Sequence, residues 1–320
     1  MESGDKENAF VLQGGGWISF FYMAISEDKF QVIPINGVQV NVSNVEQALE
    51  EISQLVMNGG YHYVCFFEGN MLHLSFRQPK IGEVLNKASL CYPDGIAVAA
   101  LASWKLGKRV TRVTGPRMLL SLCEYGIAHG WRHYFYGGKE GVAEELKARL
   151  EERYSGLQVV GTSCPPFREP TEEELEALCN ELREKKVDLL WVALGGPRQE
   201  QWMHRYLGRI PVPVMLGVGA AFDFHTAHQA WAPKWMRAIG MEWLWRLCTG
   251  GKRVFVRNII CVSHVALRLA LAAFGRVQFL FRAHPHVRTR KPSCGVTPDC
   301  DGTPCHSSKP SCPKQNAKQS

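Results

Sequence analysis
A chain of 320 residues, 46% hydrophobic and 21% charged, suits a soluble globular body with an ample core. It can hold one domain of about 250 residues with extensions, or two domains. The charge is uneven: residues 246–320 carry thirteen Lys/Arg against two Asp, a net of +11, which leaves residues 1–245 at −4 of the chain's +7. The basic end calls for an acidic partner, whether nucleic acid, anionic lipid or a phosphorylated substrate.

A spanning helix needs roughly 18 consecutive, mainly apolar residues. The run from Ala9 to Ser26 comes closest, but Gln13, Ser19 and three glycines make it a poor candidate. The residues before it, MESGDKEN, lack the basic start of a signal peptide. The expected location is therefore cytoplasmic. Eleven cysteines, an odd number without metal spacing in the body, fit a reducing compartment. Cys294, Cys300, Cys305 and Cys312 stand in a Pro/Ser/Lys-rich tail with no CxxC pair to support a zinc site.

In chain order, residues 1–29 are irregular and glycine-containing. "FQVIPINGVQVNV" (30–42) predicts a hairpin turning at Asn36-Gly37. A helix follows, with Ser43 and Glu46 at capping-box spacing and Val45, Leu49, Ile52 and Val56 on one face. "YHYVCFF" (61–67) reads as a strand. Residues 88–107 read as a short buried segment, a Pro93-Asp94-Gly95 turn and a helix. Further strands are expected at 132–138, 157–162, 187–196 and 212–219. Helices are expected over 140–154, after a Thr171/Glu174 cap, and over 197–207. Strands alternating with helices at this spacing predict an α/β fold, a Rossmann-like, mainly parallel sheet with helices on both faces.

In such a sheet ligands lie outside the carboxyl ends of the strands. Three strands end in glycine, at Gly137-Gly138, Gly195-Gly196 and Gly217-Val218-Gly219, and Arg198, Gln199 and Glu200 stand just beyond the second. Glycine lets a ligand approach the backbone, and the helix that follows offers free N–H groups to an anion. Each turn alone is also an ordinary βα connection; the three together favour a site. "GGKEG" (137–141) is only half a dinucleotide fingerprint, and there is no P-loop, GxSxG or HExxH. The one Asp-x-Asp, Asp299-Cys300-Asp301, lies in the tail. Neither a metal nor a cofactor is expected.

Six stretches together resemble the WecG/TagA/CpsF family of bacterial glycosyltransferases. They are "YPDGIAV" (92–98), "RVTG" (112–115), "YGGKEGVAEEL" (136–146), "WVALGGPRQEQW" (191–202), "GVGAAFDF" (217–224) and "APKWMRAIGMEWLWRL" (232–247). The resemblance covers about residues 30–257. It implies an inverting transfer of a sugar, typically N-acetylmannosamine, from its UDP form to a sugar on a polyprenyl diphosphate. That reaction serves surface polysaccharide synthesis at the inner membrane face. It also implies that the PDG aspartate, Asp94, is the general base and that a basic C-terminal segment reaches the lipid diphosphate. The chain departs from the family pattern at Phe66 and Glu68, where Thr and Asn are usual, at Arg117, and at Ala227 and Trp231.

The residues themselves bear on these roles. An inverting transfer needs a base for the acceptor hydroxyl. Asp94 in a tight turn can be that base or a helix cap. Gln199 can read a uracil edge or sugar hydroxyls, and Glu200 can accept from hydroxyls; both can also simply solvate a helix end. The candidate substrate pocket further holds Glu68, Asn70, Arg112, Thr114 and Asp223, the last of which has a structural hydrogen-bonding alternative. His204, His225 and His228 make no persuasive metal set. Arg246, Arg253 and Arg257 are the candidate ligands of a lipid diphosphate. Residues 254–281 mix apolar surface with arginines, as an interfacial helix on a membrane would, or a pair of core helices.

The expected organisation is an extension (1–29), a glycosyltransferase α/β domain (30–245), a basic, partly apolar helical arm that associates with the membrane (246–284) and a disordered tail (285–320). The expected partners are a UDP-sugar, a polyprenyl-diphosphate glycolipid and an anionic membrane surface at the inner face, with a homo-oligomer left open and nucleic acid not expected. A different hexose donor is the nearest alternative. A nicotinamide-dependent oxidoreductase is the alternative from another class, and it lacks its full fingerprint and its ribose-binding acid. With no Asp-x-Asp at a strand end in the body, N–H groups and basic side chains are left to stabilise the UDP leaving group. Transfer is expected to survive EDTA; complete loss, restored by magnesium or manganese, would overturn this.

Overall fold
The computed structural model describes residues 31–228 and scattered positions between 232 and 267. The extension 1–29, the tail, and most of the arm, including Arg246, Arg253 and Arg257, lie outside the described residues. The hairpin forms as expected, from β1 (Val32–Ile35) and β2 (Val38–Asn41), paired antiparallel. Asn36 and Gly37 take φ of 50° and 77°, the two positive values a tight hairpin turn needs.

The main sheet has six parallel strands: β3 (His62–Phe67), β4 (Leu90–Pro93), β5 (Arg132–Gly137), β6 (Gln158–Ser163), β7 (Leu189–Ala193) and β8 (Val214–Gly217). Their order is β4-β3-β8-β7-β5-β6. Both faces are buried, which is why the strands read as almost continuous apolar runs. Alternation divides them cleanly. Tyr63, Cys65 and Phe67 of β3, Tyr134 and Tyr136 of β5, and Leu190 and Val192 of β7 enter one core. Val64 and Phe66, Phe135, and Leu189 and Trp191 enter the other.

The first core is closed by α2 (Gly69–Arg77), α3 (Pro79–Lys87), α4 (Ile96–Leu106), α7 (Glu172–Glu184), α8 (Arg198–Arg205) and the hairpin. The second is closed by α1 (Val45–Asn58), α5 (Gly115–Ile127), α6 (Val142–Arg153) and α9 (Ala221–His225). Helices α2, α3, α5 and α9 go beyond the elements expected from the sequence. One cap is corrected. The α1 box is formed by Asn44 and Gln47, each side chain bonding the other's backbone N–H. Ser43 instead donates its hydroxyl to Glu51 Oε1 at 2.7 Å. The strands at 187–196 and 212–219 begin two residues later than expected and end early, where Gly195 and Gly219 take positive φ and turn out of the sheet.

The hairpin stands beside β4, the edge strand, and side chains tie it there. Asn41 Oδ1 accepts from the Cys91 N–H (2.8 Å), and Asn86 bonds Gln39 N and Gly37 O. Lys105 Nζ donates to the Pro34 carbonyl (2.6 Å).

The chain reverses direction across the middle of the sheet. From β7 it moves through α8 toward β8, and from β5 through α6 toward β6, so the loops leaving β7 and β5 diverge on opposite faces. That is the topological switch point, where a crevice opens at the carboxyl edge. Gly137 has φ +109°, and a Cβ there would stand 2.7 Å from both C and O of Ala193. Gly141, in the same loop, has φ +78° with nothing within 4 Å. Gly137→Ala is expected to cost about 2–4 kcal/mol, strain plus backbone collision, and Gly141→Ala about 1 kcal/mol. Urea unfolding of the two variants checks the difference; equal losses would show that Ala193 gives way.

Candidate active site
The carboxyl ends of β4, β3, β8, β7 and β5 line one edge, and most of the residues expected at a site gather there. Asp94 follows β4. Its own N–H and that of Gly95 both donate to the Phe67 carbonyl at the end of β3 (3.1 and 3.3 Å), so the turn cannot drift from its neighbour. A Cβ on Gly95 would stand 2.9 Å from Gly69 N, which shows how closely the turns after β4 and β3 pack. The N-cap of α4 is Gly95, one residue past Asp94. Asp94 is therefore not the N-cap residue, and its carboxylate sits half-buried on a fixed turn.

Across that turn lie Glu68 and Asn70. Glu68 is the N-cap of α2, yet its side chain makes no cap bond. On the other side the segment 112–114 is held by the Val113 N–H, which donates to Pro93 O (3.0 Å). This places the half-buried Arg112 and Thr114 beside β4, and Thr114 is the N-cap of α5 without a side-chain cap bond. Gly115 packs on Val218, where an added Cβ would come to 3.4 Å from its Cα.

Beyond β7, Gln199 is buried and its carbonyl oxygen accepts two backbone N–H bonds, from Gly195 (3.1 Å) and Gly219 (3.0 Å). One amide thus stitches the loop after β7 to the loop after β8. Its Nε2 donates to Glu200 Oε1 (2.9 Å). The ligand-reading oxygen expected of Gln199 is committed to the protein. This bridge was not foreseen from the sequence, where the only signal was a Gln placed directly after a glycine turn.

Glu200 is 2% exposed, and its Oε2 is buried with no hydrogen-bond partner. That oxygen lies 3.3 Å from where a Cβ on Gly196 would be. Burial pushes its carboxyl up to about 7; the bonds from Gln199 and from its own N–H oppose this, and the neighbouring Glu68 carboxylate adds to the rise. Arg198 turns elsewhere: it donates to the carbonyls of Pro166 and Arg168 and lies 4.4 Å over the Phe167 ring, which pins the loop before α7. At the switch point Gly137 lies against Ala193, and the Gly138 N–H donates to Ala193 O (3.0 Å). Asp223 stands in the first turn of α9, with its Oδ1 buried and unpartnered.

His225 and His228 are bonded within the protein, to Pro116 O (2.8 Å) and Glu145 (2.6 Å). Among the described residues no group of three His, Cys, Asp or Glu could hold a metal ion, and no helix is long and apolar enough to cross a membrane.

The Glu200 carboxyl titrates higher folded than unfolded, so the folded state holds the extra proton between about pH 4.5 and 7. Its contribution to stability is present at low pH and fades as pH rises through about 7, by roughly 3 kcal/mol in all. Glu200→Gln keeps an acceptor for Gln199 and abolishes the titration. The fall in melting temperature between pH 5 and pH 8 should be smaller in the variant than in the wild type. Parallel profiles would mean that Glu200 is ionised throughout.

Comparison with known proteins bears on what such an edge does. Residues 33–278 match the model of the glycosyl transferase WecG/TagA/CpsF family. A relative from Bacillus spizizenii, named N-acetylglucosaminyldiphosphoundecaprenol N-acetyl-beta-D-mannosaminyltransferase, is 28% identical over 180 residues, 56% of this chain and 68% of the relative. A protein of the same name from Bacillus subtilis is 26% identical over 165 residues, 52% of this chain and 62% of that protein. With the family match spanning most of the sequence and the whole described sheet, the chain belongs to the WecG/TagA/CpsF family of glycosyltransferases.

Proposed function
We propose that this enzyme moves N-acetylmannosamine from a UDP-sugar to a saccharide, N-acetylglucosamine first among them, carried on a polyprenyl diphosphate in surface polysaccharide synthesis. The reading is supported by the relatives' names and by one observation above all. Asp94 is fixed by two backbone bonds on a turn at the same edge as the glycine crevice between β5 and β7.

In this reading the nucleotide lies against Gly137, Gly138, Gly195 and Gly196, where no side chain keeps it from the backbone. The sugar extends toward β3 and β4. The acceptor hydroxyl attacks the anomeric carbon from the face opposite the UDP, and the carbon–oxygen bond to UDP breaks as the new glycosidic bond forms. The hydroxyl proton goes to Asp94, and the configuration inverts. Glu200 and Asp223, each with a buried unpartnered carboxyl oxygen, are acceptors for sugar or ribose hydroxyls, with Glu68, Asn70, Arg112 and Thr114 around the acceptor. Arg246, Arg253 and Arg257 take the lipid diphosphate, and the arm holds the enzyme at the inner face of the membrane. The arm's described positions Val256, Ile259, Ile260, Val262 and Leu267 are helical and exposed, as an interfacial segment requires.

A screen of UDP-sugars against a polyprenyl-diphosphate-linked N-acetylglucosamine tests the reaction. N-acetylmannosamine transfer is expected to exceed that of other sugars. Transfer of another hexose alone would redraw the pocket, and no transfer at all would end the reading. Asp94→Asn retains the side chain's size and one acceptor oxygen but removes the base. It should lower kcat by about 10²–10⁴-fold, with melting temperature and UDP-sugar affinity near wild type. Turnover within a few-fold of wild type would make Asp94 a turn residue and turn attention to Glu68.

A further inference from the structure
Helix α4 leaves the Asp94–Gly95 turn with the sequence IAVAALASWKL. Val98, Ala99 and Ala102 are buried. The solvent side of a surface helix is ordinarily charged or polar. Here it carries Ile96, Ala100 and Trp104, an i, i+4, i+8 stripe, with Ile96 41% and Trp104 60% exposed. Past the left-handed C-cap Gly107 stand Lys108 and Arg109, both exposed. From Gly95 to Cys123 the chain has five cations, Lys105, Lys108, Arg109, Arg112 and Arg117, and no Asp or Glu, within a body that is otherwise net acidic. An apolar stripe closed by a tryptophan and flanked by cations is the arrangement of a surface that lies at a lipid headgroup plane.

We propose that the outer face of α4, with its Lys108–Arg109 corner, docks on an anionic membrane leaflet as a contact separate from the C-terminal arm. The stripe is about 12 Å long, from eight residues at 1.5 Å each, and begins two residues from Asp94. The near end of the stripe therefore lies within one helical turn of the proposed base. That relation to a base rests on the proposed reaction; the surface itself rests on exposure and charge. A second copy of the chain fits the face poorly. A twofold pairing through it would set one acid-free, cationic segment against another.

The test uses the full chain and vesicles of phosphatidylcholine with one-third phosphatidylglycerol. Each cation at an anionic surface contributes several-fold to partition, so Lys108→Gln/Arg109→Gln should bind these vesicles roughly tenfold or more weakly, with a shallower salt dependence. Trp104→Ala should weaken binding independently, and both variants should melt as the wild type does. Turnover on a water-soluble, short-chain acceptor should be unchanged, while transfer to a vesicle-embedded long-chain acceptor falls with the partition. Wild-type partition in both variants would overturn the proposal. So would a change of oligomeric state on sedimentation with partition unaltered, which would give the face to a second copy. If the wild type glycosylates neither acceptor, the proposed reaction fails, and the partition measurements still decide the surface.

Discussion
The candidate site depends on one carbonyl oxygen. Gln199 Oε1 takes the N–H groups of Gly195 and Gly219, and so fixes the loops of two adjacent strands at the spacing of a single amide. A buried acceptor with both lone pairs used is hard to replace: a smaller side chain would leave two loop amides unsatisfied, and each orphaned donor costs about 1–3 kcal/mol. Everything to one side of this bridge, Asp94 and the β3 and β4 turns, is held by backbone bonds to Phe67 and Pro93. To the other side, the β5 loop is held by the Gly138 N–H, which donates to Ala193 O. The edge is a row of turns, each locked to the next.

Within that row two carboxylates live differently. Asp94 is half-buried and sits on a turn, whereas Glu200 is sealed under Gly196 with Gln199 as its donor. Burial raises the Glu200 carboxyl to about 7, so this buried acid holds its proton to a higher pH than an exposed carboxylate would.

Much of this was legible in the sequence. Asn36-Gly37 announced the hairpin, the apolar runs announced the sheet, and the strand-end rule brought Gly137, Gly195 and Glu200 to one edge, while Asp94 was singled out by its Pro-Asp-Gly turn and the family resemblance. What stayed hidden had physical causes. Helices α2 and α3 are short, meet at Gln78-Pro79 and lack side-chain caps, and the proline that opens α3 also reads as a break in the chain. Helix α5 opens on Gly-Pro, which reads as a turn. The α1 cap was misplaced by one residue because Ser43 and Asn44 both suit an N-cap, and only the buried Glu51 beneath Ser43 decides between them. The Gln199 bridge joins residues 20 apart through a side chain, and no local pattern encodes such a contact.

The hairpin at the start of the fold has a further consequence. Parallel sheets carry two edges, and an open edge of unpaired N–H and C=O groups is a template for joining another chain. Here β4 is one such edge, and Asn41 occupies the Cys91 N–H with a side-chain oxygen while β2 stands alongside. The hairpin therefore acts as a guard against intermolecular pairing at the strand that leads to Asp94. It also precedes that strand by about fifty residues in the sequence, so during synthesis the guard leaves the ribosome before the edge it covers. The order of the chain thus places the cover ahead of the edge strand that it stands beside.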